Sequence, residues 1–287
     1  MTHTIHRLSQ AAAALLLGCL GSLVSLPALA QGVPADAVLK DFKPNGDYTL
    51  VVDGKDVPNA EVYFSERVPA FLILSSRLSS PVLLSVRTQT AETVQLMKVA
   101  KQEDGTVNLL ADAALAPQGA ITVGAEGAVT FAVDKHPVQL KAREPLLGLH
   151  PANDLKAYYP PIYVAGARNY RPDGQVIAAL KHSSAPVTVR VFFGSWCPHC
   201  QHSVPQILRV EDELKGSKIK FEYFGLPKTG MANVPEAKKF GINGVPTGIV
   251  FVKGKEAGRL TGNAWSSPES SLATILTGAG VAAASGR

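Results

Sequence analysis

The run Val187-Thr188-Val189-Arg190-Val191-Phe192-Phe193 passes through Gly194-Ser195-Trp196 into Cys197-Pro198-His199-Cys200, and no other junction constrains the chain as much. A nearly unbroken stretch of β-branched and aromatic residues reads as a buried strand. Pro198 suits the first position of a helix, and a helix is expected from about 198 to 214, ending near Gly216. A cysteine at that boundary lies where unpaired backbone N–H groups and the helix macrodipole favour an anion. Cys197 is therefore the expected nucleophile, and Cys200, one helical turn further in, the expected resolving thiol. Attack by a Cys197 thiolate on a disulfide gives a mixed disulfide that Cys200 displaces, and the reverse sequence oxidises a dithiol. Pro198 and His199 are the expected tuning residues, because a protonated His199 adds positive charge beside the thiolate.

Around this junction the chain alternates in type. A short helix is expected over 174–181, then strands at 187–193, 218–224, 247–252 and 256–260, with helices near 235–240 and 268–276 between and after them. Such alternation means an α/β domain, a sheet flanked by helices, over 174–280, with a tail at 281–287. Ahead of it, strand-like runs at 48–52, 82–88, 93–99, 106–110, 120–123 and 129–133 are punctuated by Gly105, Gly119, Gly124 and Gly127. They predict a small all-β, sandwich-like domain over 31–145, in which no residue constellation looks catalytic and His136 reads as a surface residue. Between the two, 146–173 is dense in Pro, Gly and Asn and reads as a linker. Its tyrosines, Tyr158, Tyr159, Tyr163 and Tyr170, are read as packing against a domain in preference to a docking face.

The first thirty residues carry Arg7 as their only formal charge, an apolar stretch from Ala11 to Leu26, and Ala28-Leu29-Ala30 before Gln31. That is the pattern of a cleaved secretory signal, residues 1–30, and implies a periplasmic or otherwise exported protein. Two alternatives stand beside it: an uncleaved anchor, weakened by Gly18, Gly21 and Pro27, and lipid attachment at Cys19, which would leave an apolar segment at the new terminus. Cleavage removes Cys19 and leaves two of the three cysteines, both in one four-residue motif. A pair so closely spaced closes too short a loop to serve as a structural staple, so its use is chemical. Lys+Arg 28 against Asp+Glu 23, with no basic stripe, argues against nucleic acid as a partner.

Taken together, these residues resemble the thioredoxin superfamily over roughly 175–278. Phe192-Phe193-Gly194-Ser195-Trp196-Cys197 resembles the strand and tryptophan that precede the family's active site, and Pro205 stands where these proteins kink the active-site helix. Ala237-Lys238-Lys239-Phe240-Gly241-Ile242-Asn243-Gly244-Val245-Pro246-Thr247 resembles the segment carrying the family's cis-proline. The resemblance implies that Pro246 is cis beside the cysteines, that Val245 offers backbone hydrogen bonds to an extended substrate segment, and that Trp196 contacts substrate. The dipeptide Pro198-His199 and Val245 resemble DsbA-type oxidants, whereas Trp196 and Pro246-Thr247 resemble thioredoxin or TlpA-like reductants. One position departs from the pattern: where thioredoxin and DsbA place a buried acid, six residues before the first cysteine, this chain has Val191. The resemblance thus implies a thiol:disulfide oxidoreductase needing no cofactor. Its partners would be exported protein thiols and disulfides and a redox partner protein, which a membrane could carry.

Two readings from other classes compete. Cys197, His199, Cys200 and His202 place four soft ligands within six residues, as a copper or zinc handling protein would. Alternatively the β domain recruits a partner and the thioredoxin-like part is scaffold. The cis-proline segment has no use in the first reading, and the intact cysteine pair has none in the second. Trp265 reads as a core residue, His182 as a helix-end residue and His202 as a solvated one.

Overall fold

The structure, a computed structural model, describes residues 39–124 and 127–281. Residues 1–30, expected as a signal, and nearly all of the expected tail lie outside the described residues.

Among the described residues the N-terminal part is mainly strand, with a 3-10 turn at Leu96–Lys98. In chain order the strands are β1 (Lys43–Pro44), β2 (Tyr48–Val52), β3 (Lys55–Val57), β4 (Glu61–Ser65), β5 (Ala70–Leu74), β6 (Val82–Ser85) and β7 (Thr90–Val94). They continue with β8 (Val99–Lys101), β9 (Val107–Leu109), β10 (Leu115–Ala120), β11 (Thr122–Val123), β12 (Val129–Val133) and β13 (His136–Ala142). A six-stranded sheet runs β1-β4-β5-β6-β7-β10 and a five-stranded one β11-β12-β13-β2-β3, all neighbours antiparallel. Leu50, Val62, Ile73, Leu84, Phe131 and Leu140, drawn from both sheets, share one core. The other face of the larger sheet is covered too: Leu72, Leu83 and Tyr63 pack with Phe42, Val107 and Leu109. Burial on both faces is why β5 and β6 are continuous apolar runs without alternation.

The C-terminal part begins with β14 (Gly148–His150), α1 (Ala152–Tyr158), α2 (Pro160–Asn169) and α3 (Gly174–Lys181). It continues with β15 (Val187–Phe193), α4 (Pro198–Glu213), β16 (Ile219–Gly225), α5 (Pro235–Phe240), β17 (Thr247–Val252), β18 (Lys255–Leu260) and α6 (Pro268–Gly278). Its sheet runs β14-β16-β15-β17-β18. The strand β15 is central, parallel to β16 through the crossover helix α4 and antiparallel to β17.

The stretch 146–173, expected as a linker, holds β14, α1 and α2 instead. Its prolines were read as breakers, but Pro151 is the residue before α1 and Pro160 and Pro161 open α2, where a missing N–H costs nothing. Gly148 supplies a φ of +85° inside β14. The tyrosines do pack inward: Tyr159 and Tyr163 are 0% and 1% exposed.

The same stretch fastens the two parts together. The Tyr159 hydroxyl donates to the Val62 carbonyl at 2.9 Å and accepts from the Val62 N–H at 3.0 Å. Arg143 lies over the Tyr159 ring at 4.7 Å while its guanidinium donates to the carbonyls of Gly46, Tyr48 and Tyr158. A planar fork with several donors is suited to collecting backbone carbonyls in this way.

Candidate functional site

The site lies where β15 ends and α4 begins. Cys197 is the residue before the helix, with φ −93° and ψ 120°, and its carbonyl accepts the first helical bond, from Gln201 N–H at 2.9 Å. Its own N–H donates back to Gly194 O at 3.0 Å, which closes the turn between strand and helix. Pro198 and His199 are exposed, as first-turn residues facing outward. Cys200 is 0% exposed, and its sulfur accepts a hydrogen bond from Gly194 N–H at 3.4 Å. Both thiols are free in this structure.

The two sulfurs differ sharply in acidity. The Cys197 thiol is drawn down to about 6, chiefly by hydrogen bonding from the Cys200 thiol, then by the backbone N–H groups of Cys200 and His199, and last by the charge of His199. Burial works against it but does not prevail. For Cys200 burial is the leading cause, and with the neighbouring Cys197 it pushes that thiol far above the ordinary range. A thiol drawn toward ionisation near neutral pH therefore sits beside one that holds its proton, an asymmetry that an attacking and a resolving cysteine would need.

The Val245–Pro246 peptide is cis, and the Val245 carbonyl lies 3.8 Å from Cys197 Sγ. The sequence places these residues 48 positions apart, and the antiparallel pairing of β15 with β17 brings them together. A groove of about 610 Å³ runs beside them, lined among others by His199, Ser203, Val245, Pro246, Arg259 and Trp265. Trp265 is core, as expected, but its indole N–H also donates to the Pro246 carbonyl at 3.1 Å, which anchors the loop carrying the proline. Trp196 is half-buried and its N–H donates to Leu226 O at 2.8 Å, so part of the indole is committed to packing.

His202 is exposed and pairs with Gln206, away from the buried Cys200. Among the described residues the four candidate soft ligands do not form a group that could hold a metal ion. His182 caps the end of α3, and His136 is exposed in β13, 3.1 Å from Asp53.

Several residues around the site gave no sign in the sequence. Ser195 Oγ accepts from Leu146 N–H at 3.0 Å, and Gln201 donates both to Ser195 O at 2.8 Å and to Asp47 Oδ1 at 3.2 Å. Asp47 comes from the loop between β1 and β2; burial raises its carboxyl pKa, opposed by the Gln201 hydrogen bond and by Lys228 and Arg143. The only available signal for this neighbourhood was the cluster of tyrosines ahead of α3.

With that geometry in place, a match to a known family falls on the same region. Residues 175–277 match the thioredoxin family model. A chloroplastic thioredoxin Y of Oryza sativa subsp. japonica is 36% identical over 84 residues, 29% of this chain, and the aligned part spans about half, 46%, of that relative's own length. Among solved structures, a protein of unknown function from Pseudomonas aeruginosa aligns over 42% of this chain and 82% of its own at 13% identity, with a TM-score of 0.31. A thioredoxin from Trypanosoma brucei brucei aligns over 37% and 88% at 17% identity, with a TM-score of 0.25. The family-model match, 175–277, takes in Cys197, Cys200 and the cis Pro246, so the chain is similar to thioredoxin over the part that carries the candidate site.

Proposed function

We propose that this protein is an exported thiol:disulfide oxidoreductase that exchanges disulfides with other exported proteins through Cys197 and Cys200. The observation that carries the reading is the pairing of a Cys197 thiol lowered to about 6 with a fully buried Cys200 one helical turn away. Substrate enters as an extended segment along the Val245–Pro246 loop, offering its sulfur to Cys197 and its backbone to Val245. The β part, whose two sheets sharing one core fit a sandwich, is held against the region of α2 and the active-site turn and serves to set which substrates approach.

The poise is moderately oxidising. A thiol pKa near 6 falls between about 7 for thioredoxin and about 3.5 for DsbA, and stabilising the thiolate stabilises the reduced form. The potential is accordingly on the order of −200 to −130 mV. Export rests on the signal-like residues 1–30; among the described residues no helix is long and apolar enough to cross a membrane. A membrane-associated redox partner would complete the cycle.

Insulin reduction and dithiol-peptide oxidation by the purified protein and by Cys197→Ala test the chemistry. Thiol trapping in intact cells reports the resting redox state, and fractionation of the producing cells reports export. Full activity in Cys197→Ala, or a protein retained at full length in the cytosol, would overturn the corresponding part of the reading.

A further inference from the structure

Resolution of a mixed disulfide requires the Cys200 thiol to lose its proton at a site that water does not reach. Cys200 is 0% exposed, and the position at which the resemblance implies a buried acid is Val191, itself 0% exposed and aliphatic. Cys197, Cys200 and Val191 belong to one core cluster, and so does Tyr163 of α2. Tyr163 is 1% exposed, and its hydroxyl is fully buried without a hydrogen-bond partner among the described residues. A buried orphan hydroxyl destabilises a core that a phenylalanine would fill equally well, so its presence calls for a use.

Helix packing sets α2 against the start of α4. Ile162 and Gln201 both reach Gly46, while four residues further along Gly166 meets Pro205 so closely that a Cβ on Gly166 would stand 2.9 Å from the proline ring. The two helices α2 and α4 thus run side by side in the same direction. Helical side chains lean toward their own N-terminus, so Tyr163, one turn before Gly166, leans toward the first turn of α4. That turn contains Cys200 and follows directly on Cys197. The groups whose charge reaches Tyr163 are Tyr158 on α1, Cys200 and Cys197 at α4, and Asp47 on the β1–β2 loop.

We propose that the Tyr163 hydroxyl is the hydrogen-bond donor that receives the charge of Cys200 in the resolving step. The Cys200 S–H bond breaks and its sulfur attacks Cys197 Sγ. The bond from Cys197 to the substrate sulfur then breaks with its electron pair, and the departing thiolate takes up the proton released by Cys200. One disulfide is exchanged for another, and no external reductant enters. Tyr163 stays neutral throughout: burial holds its phenol far above the ordinary range, so it donates a hydrogen bond and does not act as a base. The inference rests on the exchange chemistry proposed above.

Its test uses the full chain carrying Cys19→Ser, with and without Tyr163→Phe, reacted in reduced form with the chromogenic disulfide of nitrothiobenzoate. The first release of nitrothiobenzoate reports attack by Cys197, and the second reports displacement by Cys200. We expect Tyr163→Phe to leave the first release within about twofold and to slow the second about tenfold, the loss of one hydrogen bond to a charged sulfur. The pH dependence of the second release should move upward by about one unit, and the unfolding midpoint in urea should be equal or higher. A second release as fast as in the parent with the same pH profile overturns the proposal, and so does a variant that loses both releases together with stability. A parent that shows no second release at all overturns the exchange chemistry itself, which is a separate result.

Discussion

His199 offers the sharpest separation of the forces acting on Cys197, because two of them pass through this one residue. Its backbone N–H, at the second position of α4, hydrogen-bonds the Cys197 sulfur, and its ring contributes charge, the least of the lowering causes. His199→Ala removes the charge and keeps the N–H; His199→Pro removes both, at a first-turn position where proline is tolerated. The ring is exposed, so its charge is screened, and we expect His199→Ala to raise the Cys197 pKa by only about 0.3 unit. A hydrogen bond to a charged group contributes about 1.5 kcal/mol, so His199→Pro should raise it by about one further unit. For a two-electron couple one unit corresponds to roughly 30 mV, which lowers the potential by about 10 mV in the alanine variant and about 40 mV in the proline variant. The pH dependence of Cys197 alkylation measures the first quantity, and equilibration against glutathione redox buffers measures the second. Equal shifts in the two variants would show that the backbone N–H contributes nothing, and a larger shift in alanine than in proline would refute the ordering of causes altogether.

Three further outcomes follow from the same geometry. Cys200→Ala should accumulate mixed disulfides with substrates, visible as thiol-sensitive adducts on non-reducing gels, whereas faster alkylation of Cys200 than of Cys197 in the reduced protein would reverse the assigned roles. Tyr159→Phe removes the hydroxyl that the Val62 N–H donates to, while the Val62 carbonyl keeps the Asn45 N–H at 2.7 Å, and should cost about 1–3 kcal/mol in urea unfolding; a change near zero would mean that the two parts do not depend on this contact. Because the folded Cys197 pKa, about 6, lies below that of an unfolded thiol, about 8.5, the reduced protein should gain stability relative to Cys197→Ser as pH rises from 6 toward 8.5 and lose that advantage as pH falls through 6. Urea unfolding of both proteins across that range tests the sign, and a constant difference would refute it.

What could be read from the sequence was what is local. The strand β15, helix α3 and the start of α4 fall where composition put them, since a β-branched run, the Asp173 cap bonding Gln175 and Val176 N–H, and Pro198 each act within a few residues. In the β part, Tyr48–Val52 and Val129–Val133 were legible for the same reason. The strand Ala70–Leu74 was not, because an apolar run buried on both faces has no period to betray whether it is helix or strand. The stretch ahead of α3 was misread because proline and glycine mark a helix start or a strand bend as readily as a loop.

The same division runs through the site. Cys197, the Cys200 thiol that chiefly lowers its pKa and the helix-start N–H groups that add to the effect lie within four residues, and the cis-proline segment carries its own signature, so the proposed chemistry of attack was legible. Residues drawn in around the motif come from elsewhere: Tyr163, which shares the core cluster of Cys200, lies 37 positions before it, and Asp47, which accepts from Gln201, lies 154 positions from that residue. Nothing in either segment names the other. What joins them is the fit of Gly166 against Pro205 and of Gly46 against Ile162 and Gln201, contacts in which the informative residue is the absence of a side chain. A motif can therefore be complete while the fate of its second proton stays undetermined by it. With Val191 in the core beside Cys200, that fate is settled by which helix packs on α4 and what it carries there, a tertiary property that four residues around two cysteines do not encode.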